Sequence, residues 1–231
     1  MVGAFVPFLI LFLLIIVHEL GHFLTAMLFK VEPDKIYIYP FGCISKFNLS
    51  LNEDLSKEFL ILLMGPLSQF IFSLVLVKIP FFSHYSEIIN IYNYTILGFN
   101  LLPIYPLDGG KLLNIILSFK ESFNRSLTIT LIVSYIAVFI FGICFIFRDL
   151  SLNIIITISF LIFKVTTEWK NKKYLTDKFL LERYLHKYKF KKRKNVNSIN
   201  DFMRNRNHIV KIGDKYYTEK EVLYKKFNNK Y

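Results

Sequence analysis

Apolar runs separated by short polar breaks dominate the first 165 residues. They cover residues 3–29, 59–82, 88–117, 127–147 and 150–165. About 20 apolar residues suffice for a helix to cross a bilayer, so the pattern predicts about five spans. The run at 88–117 is broken at 100–110 by Asn100-Leu101-Leu102-Pro103-Ile104-Tyr105-Pro106-Leu107-Asp108-Gly109-Gly110. Prolines and adjacent glycines end a helix, so this span is expected to be discontinuous. Between the first two runs, Ile36–Tyr39 and Ile44–Leu49 flank Pro40-Phe41-Gly42-Cys43. Two β-rich segments around a Pro/Gly turn predict a hairpin within a 30–58 loop at the membrane face.

After residue 165 the pattern turns polar. Leu180, Leu181, Tyr184, Leu185 and Tyr188 keep helical spacing. His208–Ile212 reads as a short strand and Glu219–Phe227 as an amphipathic helix. The expected fold class is an all-α polytopic membrane protein with about five transmembrane helices, a small membrane-associated β-hairpin and a short basic cytoplasmic tail. The expected organisation is a transmembrane core over 1–165 and a tail over 166–231.

Composition supports the membrane assignment. Of 231 residues, 54% are hydrophobic and only 20% are charged, against about 25% charged in an average globular chain. A disordered chain, a coiled coil and a disulfide scaffold are excluded. The first run lacks a basic leading segment and a small-residue cleavage site, so it reads as a span and not as a signal peptide.

Charge sets the expected orientation. Nine of the 29 Lys/Arg and 10 of the 17 Asp/Glu precede residue 164, which leaves 20 and 7 in the last 68 residues. A basic tail is held in the cytoplasm by the positive-inside rule. Counting back through five spans puts the 118–126 and 30–58 loops inside and the N-terminus outside. The run Lys189–Lys194 is expected to meet anionic lipid headgroups. No nucleic-acid-binding fold is recognisable, so nucleic acid is not an expected partner.

The chemistry lies in two segments. His18-Glu19-Leu20-Gly21-His22 is an H-E-x-x-H pattern on a helix. Histidines four residues apart share one helix face and can reach one metal ion, and Zn²⁺ accepts such ligands. A glutamate beside the first histidine can serve as general base on water at that metal. Ionisable groups inside a span are costly and mark function. A catalytic zinc needs a third protein ligand and an open position. Asp108 is the only carboxylate between Glu87 and Glu121, and it follows the helix break. It is the candidate third ligand, or alternatively a cap for a helix beginning near Lys111. Asn100 is a candidate hydrogen-bond donor to a reacting carbonyl, or alternatively a helix-packing amide.

These two segments resemble the two signatures of the site-2 protease family, intramembrane zinc metalloproteases. Gly65-Pro66 between them matches as well. Within that family the resemblance runs to the sporulation branch, which processes the precursor of a late mother-cell sigma factor. Tyr39-Pro40-Phe41-Gly42 and Phe179-Leu180-Leu181-Glu182-Arg183-Tyr184 carry that part of the likeness.

The resemblance implies one zinc ion per chain held by His18, His22 and Asp108. It implies Glu19 as general acid/base, and Asn100 to position substrate or stabilise the oxyanion. It implies a bacterial cell membrane location, a membrane-associated pro-sigma-factor substrate and membrane inhibitory partners. Two departures accompany it. Only 17 residues precede His18, where that branch carries a further span. The 36 residues from Val196 resemble the end of a nucleotide-binding regulatory domain and are too short for a whole one. The competing function is a metal-binding membrane transporter or sensor without hydrolysis. Glu19 counts against it, since a transport site needs no carboxylate beside its ligands.

Overall fold

The computed structural model describes residues 2–31, 33–39, 42–47, 50–146, 152–186, 188, 190 and 192–228. In chain order these form α1 (Val2–Leu28), β1 (Pro33–Tyr39), β2 (Gly42–Phe47), α2 (Leu55–Leu76), α3 (Pro80–Ser83), α4 (Ser86–Asn100), α5 (Asp108–Ser118), α6 (Phe123–Ile146), α7 (Leu152–Leu185), β3 (Lys192–Val196), a 3₁₀ turn at Ile199–Asp201, β4 (Arg206–Ile212), β5 (Lys215–Thr218) and α8 (Glu219–Asn228). Four helices among the described residues are long and apolar enough to cross a membrane: Phe5–Leu28, Leu55–Leu76, Phe123–Cys144 and Leu152–Leu185. The apolar run at 88–117 is divided between α4 and α5, with the Pro-containing turn between them. The mostly helical, polytopic fold class therefore holds. The break between the runs at 127–147 and 150–165 and the hairpin tip Pro40-Phe41 lie outside the described residues.

The chain forms two compact units, Met1–Leu49 with Ser56–Leu102, and Ser50–Leu55 with Pro103–Tyr231. In the first unit, Val6, Ile10 and Leu14 of α1 pack with Leu76 of α2 and Ile89 of α4. The buried stripe on α1 continues at the same four-residue interval through His18, His22 and Ala26. The motif histidines thus extend the ridge that packs the helix, since i±4 rows are the ridges of helix–helix contact. On α2 the matching row is Ile61, Gly65, Gln69 and Ser73, all buried. The pair β1–β2 is antiparallel, with Tyr39 opposite Gly42, which is the expected hairpin.

In the second unit, α5, α6 and α7 pack together. Phe123 at the start of α6 stacks on Phe179 of α7, ring centroids 4.4 Å apart. Halfway along the same pair, the Tyr135 hydroxyl donates to Thr166 Oγ1 at 3.1 Å. Helix α7 runs 34 residues without a break, through the point near residue 165 where the composition changes. At about 1.5 Å per residue this is longer than a bilayer needs, so its charged C-terminal half extends past the apolar part. Beyond it lies a three-stranded sheet of order β3-β4-β5, parallel between β3 and β4 and antiparallel between β4 and β5.

Arg183, near the end of α7, organises this region. Its Nε donates to Asn52 Oδ1 (2.6 Å), Nη2 to the Met203 carbonyl (2.6 Å), and Nη1 to the Arg206 carbonyl (2.9 Å) and Glu219 (2.8 Å). Glu219 also pairs with Nδ1 of buried His208, whose Nε2 accepts from the Met203 N–H at 3.0 Å. Both ring nitrogens of neutral His208 are thereby satisfied. Burial pushes this histidine below the ordinary imidazole value, against the opposing pull of Glu219. Helix α8 begins with a capping box: the Thr218 N–H donates to Glu221 at 2.7 Å, and the Glu221 N–H donates to Thr218 Oγ1 at 3.4 Å. The backbone donor holds the Glu221 carboxyl below its usual value.

Candidate metal centre

The first unit holds the two motif histidines. His18 Nε2 and His22 Nε2 face each other across 3.2 Å, and both rings are buried. Each ring is fixed from behind. His22 Nδ1 is 2.8 Å from the main-chain carbonyl oxygen of Ile61, which can only accept. His18 Nδ1 is 2.9 Å from Gln69 Oε1. The amide of Gln69 is itself oriented, because its Nε2 donates to the Asn93 carbonyl (3.2 Å) and to Asn93 Oδ1 (3.0 Å). Both histidines therefore carry their proton on Nδ1. In the neutral rings, each Nε2 presents a lone pair toward the other. A divalent cation can accept a lone pair from each Nε2. The donor set thus fits zinc, and tying the second ring nitrogen to an oxygen is how protein metal ligands are held.

Small residues allow the geometry. A Cβ on Gly65 would lie 2.2 Å from His22 Nε2, and one on Gly21 would lie 2.4 Å from the Met64 carbonyl. Only glycine at both positions lets α1 and α2 approach this closely, as small residues do between membrane helices. Ser68 completes the crossing by donating to the Val17 carbonyl at 3.0 Å. Glu19 is half-buried on α1 between the two histidines in sequence, and Asn100 is the last residue of α4, also half-buried.

Asp108 belongs to the second unit. It is buried at 8% exposure and forms the first residue of α5, so that helix starts three residues earlier than Lys111. Leu107 occupies the N-cap position without a side-chain cap. Lys111 lies 3.6 Å from Asp108 Oδ1. The unwound segment before it has its backbone satisfied by a neighbour. The Tyr105 N–H donates to Ser134 Oγ of α6 at 2.8 Å, and Ser134 Oγ is 3.3 Å from the Pro103 carbonyl. Irregular backbone at membrane depth is tolerated only with such partners. A Cβ on Gly110 would meet the Tyr105 nitrogen at 2.4 Å, so the turn folds directly onto the start of α5.

His18, Glu19, His22, Asn100 and Asp108 are legible as candidates in the sequence, whereas the contacts of Gln69 and Asn93 are not. A glutamine in an otherwise apolar span was the available signal. Its partner Asn93 lies 24 residues away and is invisible to local pattern.

Comparison with known proteins agrees with this geometry. Residues 6–88 match the model of peptidase family M50. The chain is 32% identical over 191 residues to stage IV sporulation protein FB of Bacillus subtilis (strain 168), covering 80% of this chain and 66% of that one. It is 35% identical over 162 residues to a zinc metalloprotease of Methanocaldococcus jannaschii, covering 65% of this chain and 45% of the relative. The chain thus spans just under two thirds of the first relative and under half of the second. Among solved structures it resembles a site-2 protease from Methanocaldococcus jannaschii, with a TM-score of 0.54, 27% identity, and coverage of 70% of this chain and 76% of that one. The chain belongs to peptidase family M50, the site-2 protease family.

Proposed function

We propose that this chain is an intramembrane zinc endopeptidase that cleaves a membrane-associated precursor, a pro-sigma factor in a sporulating cell. The observation that carries the reading is the pair of buried imidazoles whose Nε2 atoms face each other at 3.2 Å with both Nδ1 atoms committed to oxygen acceptors. His18, His22 and Asp108 hold one zinc ion per chain. Bound there, zinc supplies a Lewis acid that polarises a carbonyl and acidifies water.

The chain's own residues do the rest. Glu19 takes a proton from the attacking water and returns it to the leaving amine nitrogen. Asn100 donates a hydrogen bond to the substrate carbonyl or its backbone. Burial of His18 and His22 limits bulk water around them, which strengthens polar interactions there. The substrate segment must be unwound, because a helix hides its carbonyls in its own hydrogen bonds.

The substrate class rests on the relative whose name ties it to sporulation. The chain is an integral protein of a bacterial cell membrane, with the basic tail on the cytoplasmic side and membrane inhibitory proteins as further partners. The transmembrane core is taken as residues 1–165, with the hairpin loop 30–58 admitting substrate and residues 166–231 as the cytoplasmic tail.

The test is co-expression of the chain with a tagged pro-sigma-factor candidate, beside variants His18→Ala, His22→Ala and Asp108→Ala. The reading expects the wild type to shorten the substrate and carry one zinc, and each variant to lose both. A variant that retains full zinc and full cleavage removes that residue from the ligand set. A zinc-free wild type that cleaves nothing overturns the reading.

A further inference from the structure

We infer that Gln69 and Asn93 are positioning residues for the metal ligand His18, and that they tie that ligand to the helix that ends at Asn100. The inference rests on the zinc reading above.

Gln69 is fully buried in the middle of α2, and Asn93 is 2% exposed on α4. A buried amide costs free energy unless its donors and acceptors are met. Here every contact of the Gln69 amide runs along one line. Its oxygen accepts from His18 Nδ1, and its nitrogen donates twice to Asn93. The line crosses three helices, from α1 through α2 to α4, and ends on a ring nitrogen. An apolar residue of the same size would fill the same space, so packing alone does not call for an amide.

The two histidines differ in this respect. His22 is held by the main-chain oxygen of Ile61, whereas His18 is held by a side chain. The tautomer and orientation of His18 are thus set by a residue that can be replaced. Asn93 and Asn100 are seven residues apart on α4, two turns, and so lie on one face about 10 Å apart along the axis. The same helix therefore supports the metal ligand at one level and carries the substrate-positioning asparagine at the next.

Zinc affinity is the direct readout. The full chain is purified in detergent and stripped, and Zn²⁺ binding is measured by competition with a chromophoric chelator. Gln69→Leu keeps the volume and removes the acceptor. Its affinity is expected to fall about 10- to 100-fold, the range for lost outer partners of metal ligands. Gln69→Glu keeps an oxygen at His18 Nδ1 and is expected to retain most of the affinity, as is Asn93→Asp, which keeps acceptors for Gln69. The visible bands of the Co²⁺-loaded protein should shift in Gln69→Leu and stay near wild type in Gln69→Glu. Unchanged zinc affinity in Gln69→Leu overturns the inference. So does an equal loss in Gln69→Glu and Gln69→Leu, which would mean that the site needs the amide for packing. A wild type that binds no zinc overturns the metal reading itself, a distinguishable result.

Discussion

Gly65 on α2 lies directly against the ring of His22 on α1, so close that a single added methyl would sit 2.2 Å from His22 Nε2. The contact explains why the Gly-Pro pair on the second span accompanies the histidine motif on the first. One residue makes room for a ring whose other nitrogen is anchored four residues earlier, at Ile61 on the same helix.

Gly65→Ala is therefore expected to displace His22 or push α1 and α2 apart. Overpacking of this kind costs about 1–3 kcal/mol. Zinc content of the purified variant and its thermal unfolding in detergent should both fall. Gly98→Ala, at a glycine with open space around it, is the control and should leave both unchanged.

Ser134→Ala tests the support beneath the helix break. Removing the hydroxyl leaves the Tyr105 N–H without the acceptor that it now uses. Tyr105 is half-buried, so the cost is expected at or below about 1 kcal/mol, the low end for a lost hydrogen bond. Amide exchange at Ile104, Tyr105 and Leu107 should accelerate, while exchange in α1 should not.

Arg183→Leu should release the tail. Its guanidinium joins Asn52, Met203, Arg206 and Glu219, and its side chain is 1% exposed. Deleting one member of a buried charge pair costs about 3–5 kcal/mol. Limited proteolysis should then cut within residues 192–218 at protease levels that leave the wild type whole.

His208 gives the tail a pH dependence of known sign. Its folded value lies below 6.5 because burial disfavours the imidazolium. The unfolded chain thus binds the proton more readily, so stability from this group is complete above pH 6.5 and is lost as pH falls below it. Exchange protection of the β4 amides should drop between neutral pH and pH 5. The drop should be shallower in His208→Gln.

Much of this was legible before any coordinates. The four-residue interval of the histidines, the hairpin, the Pro-Gly break and helix α8 all follow from local pattern. The strand β3 is not legible in the basic run at 189–194, because Lys192, Arg193 and Lys194 have no β preference of their own. Pairing with β4 makes them one, and that partner lies beyond the intervening 3₁₀ turn, outside the reach of a local pattern. For α7, the helical spacing from Leu180 onward is legible in the sequence, but its continuity with the last span is not. Its charged half gains stability from packing on Phe123 and from the Arg183 network, neither of which appears in hydropathy. Gln69 and Asn93 illustrate the same limit at the site. Neither amide announces a partner in sequence, and only the crossing of three helices makes them a line to His18.

If the buried histidine pair serves hydrolysis, Glu19 moves the proton. The most direct test is Glu19→Gln, purified for zinc analysis and co-expressed with the tagged precursor. The variant is expected to keep its zinc and leave the precursor whole, while the wild type shortens it. Shortening by Glu19→Gln at the wild-type rate would contradict that role.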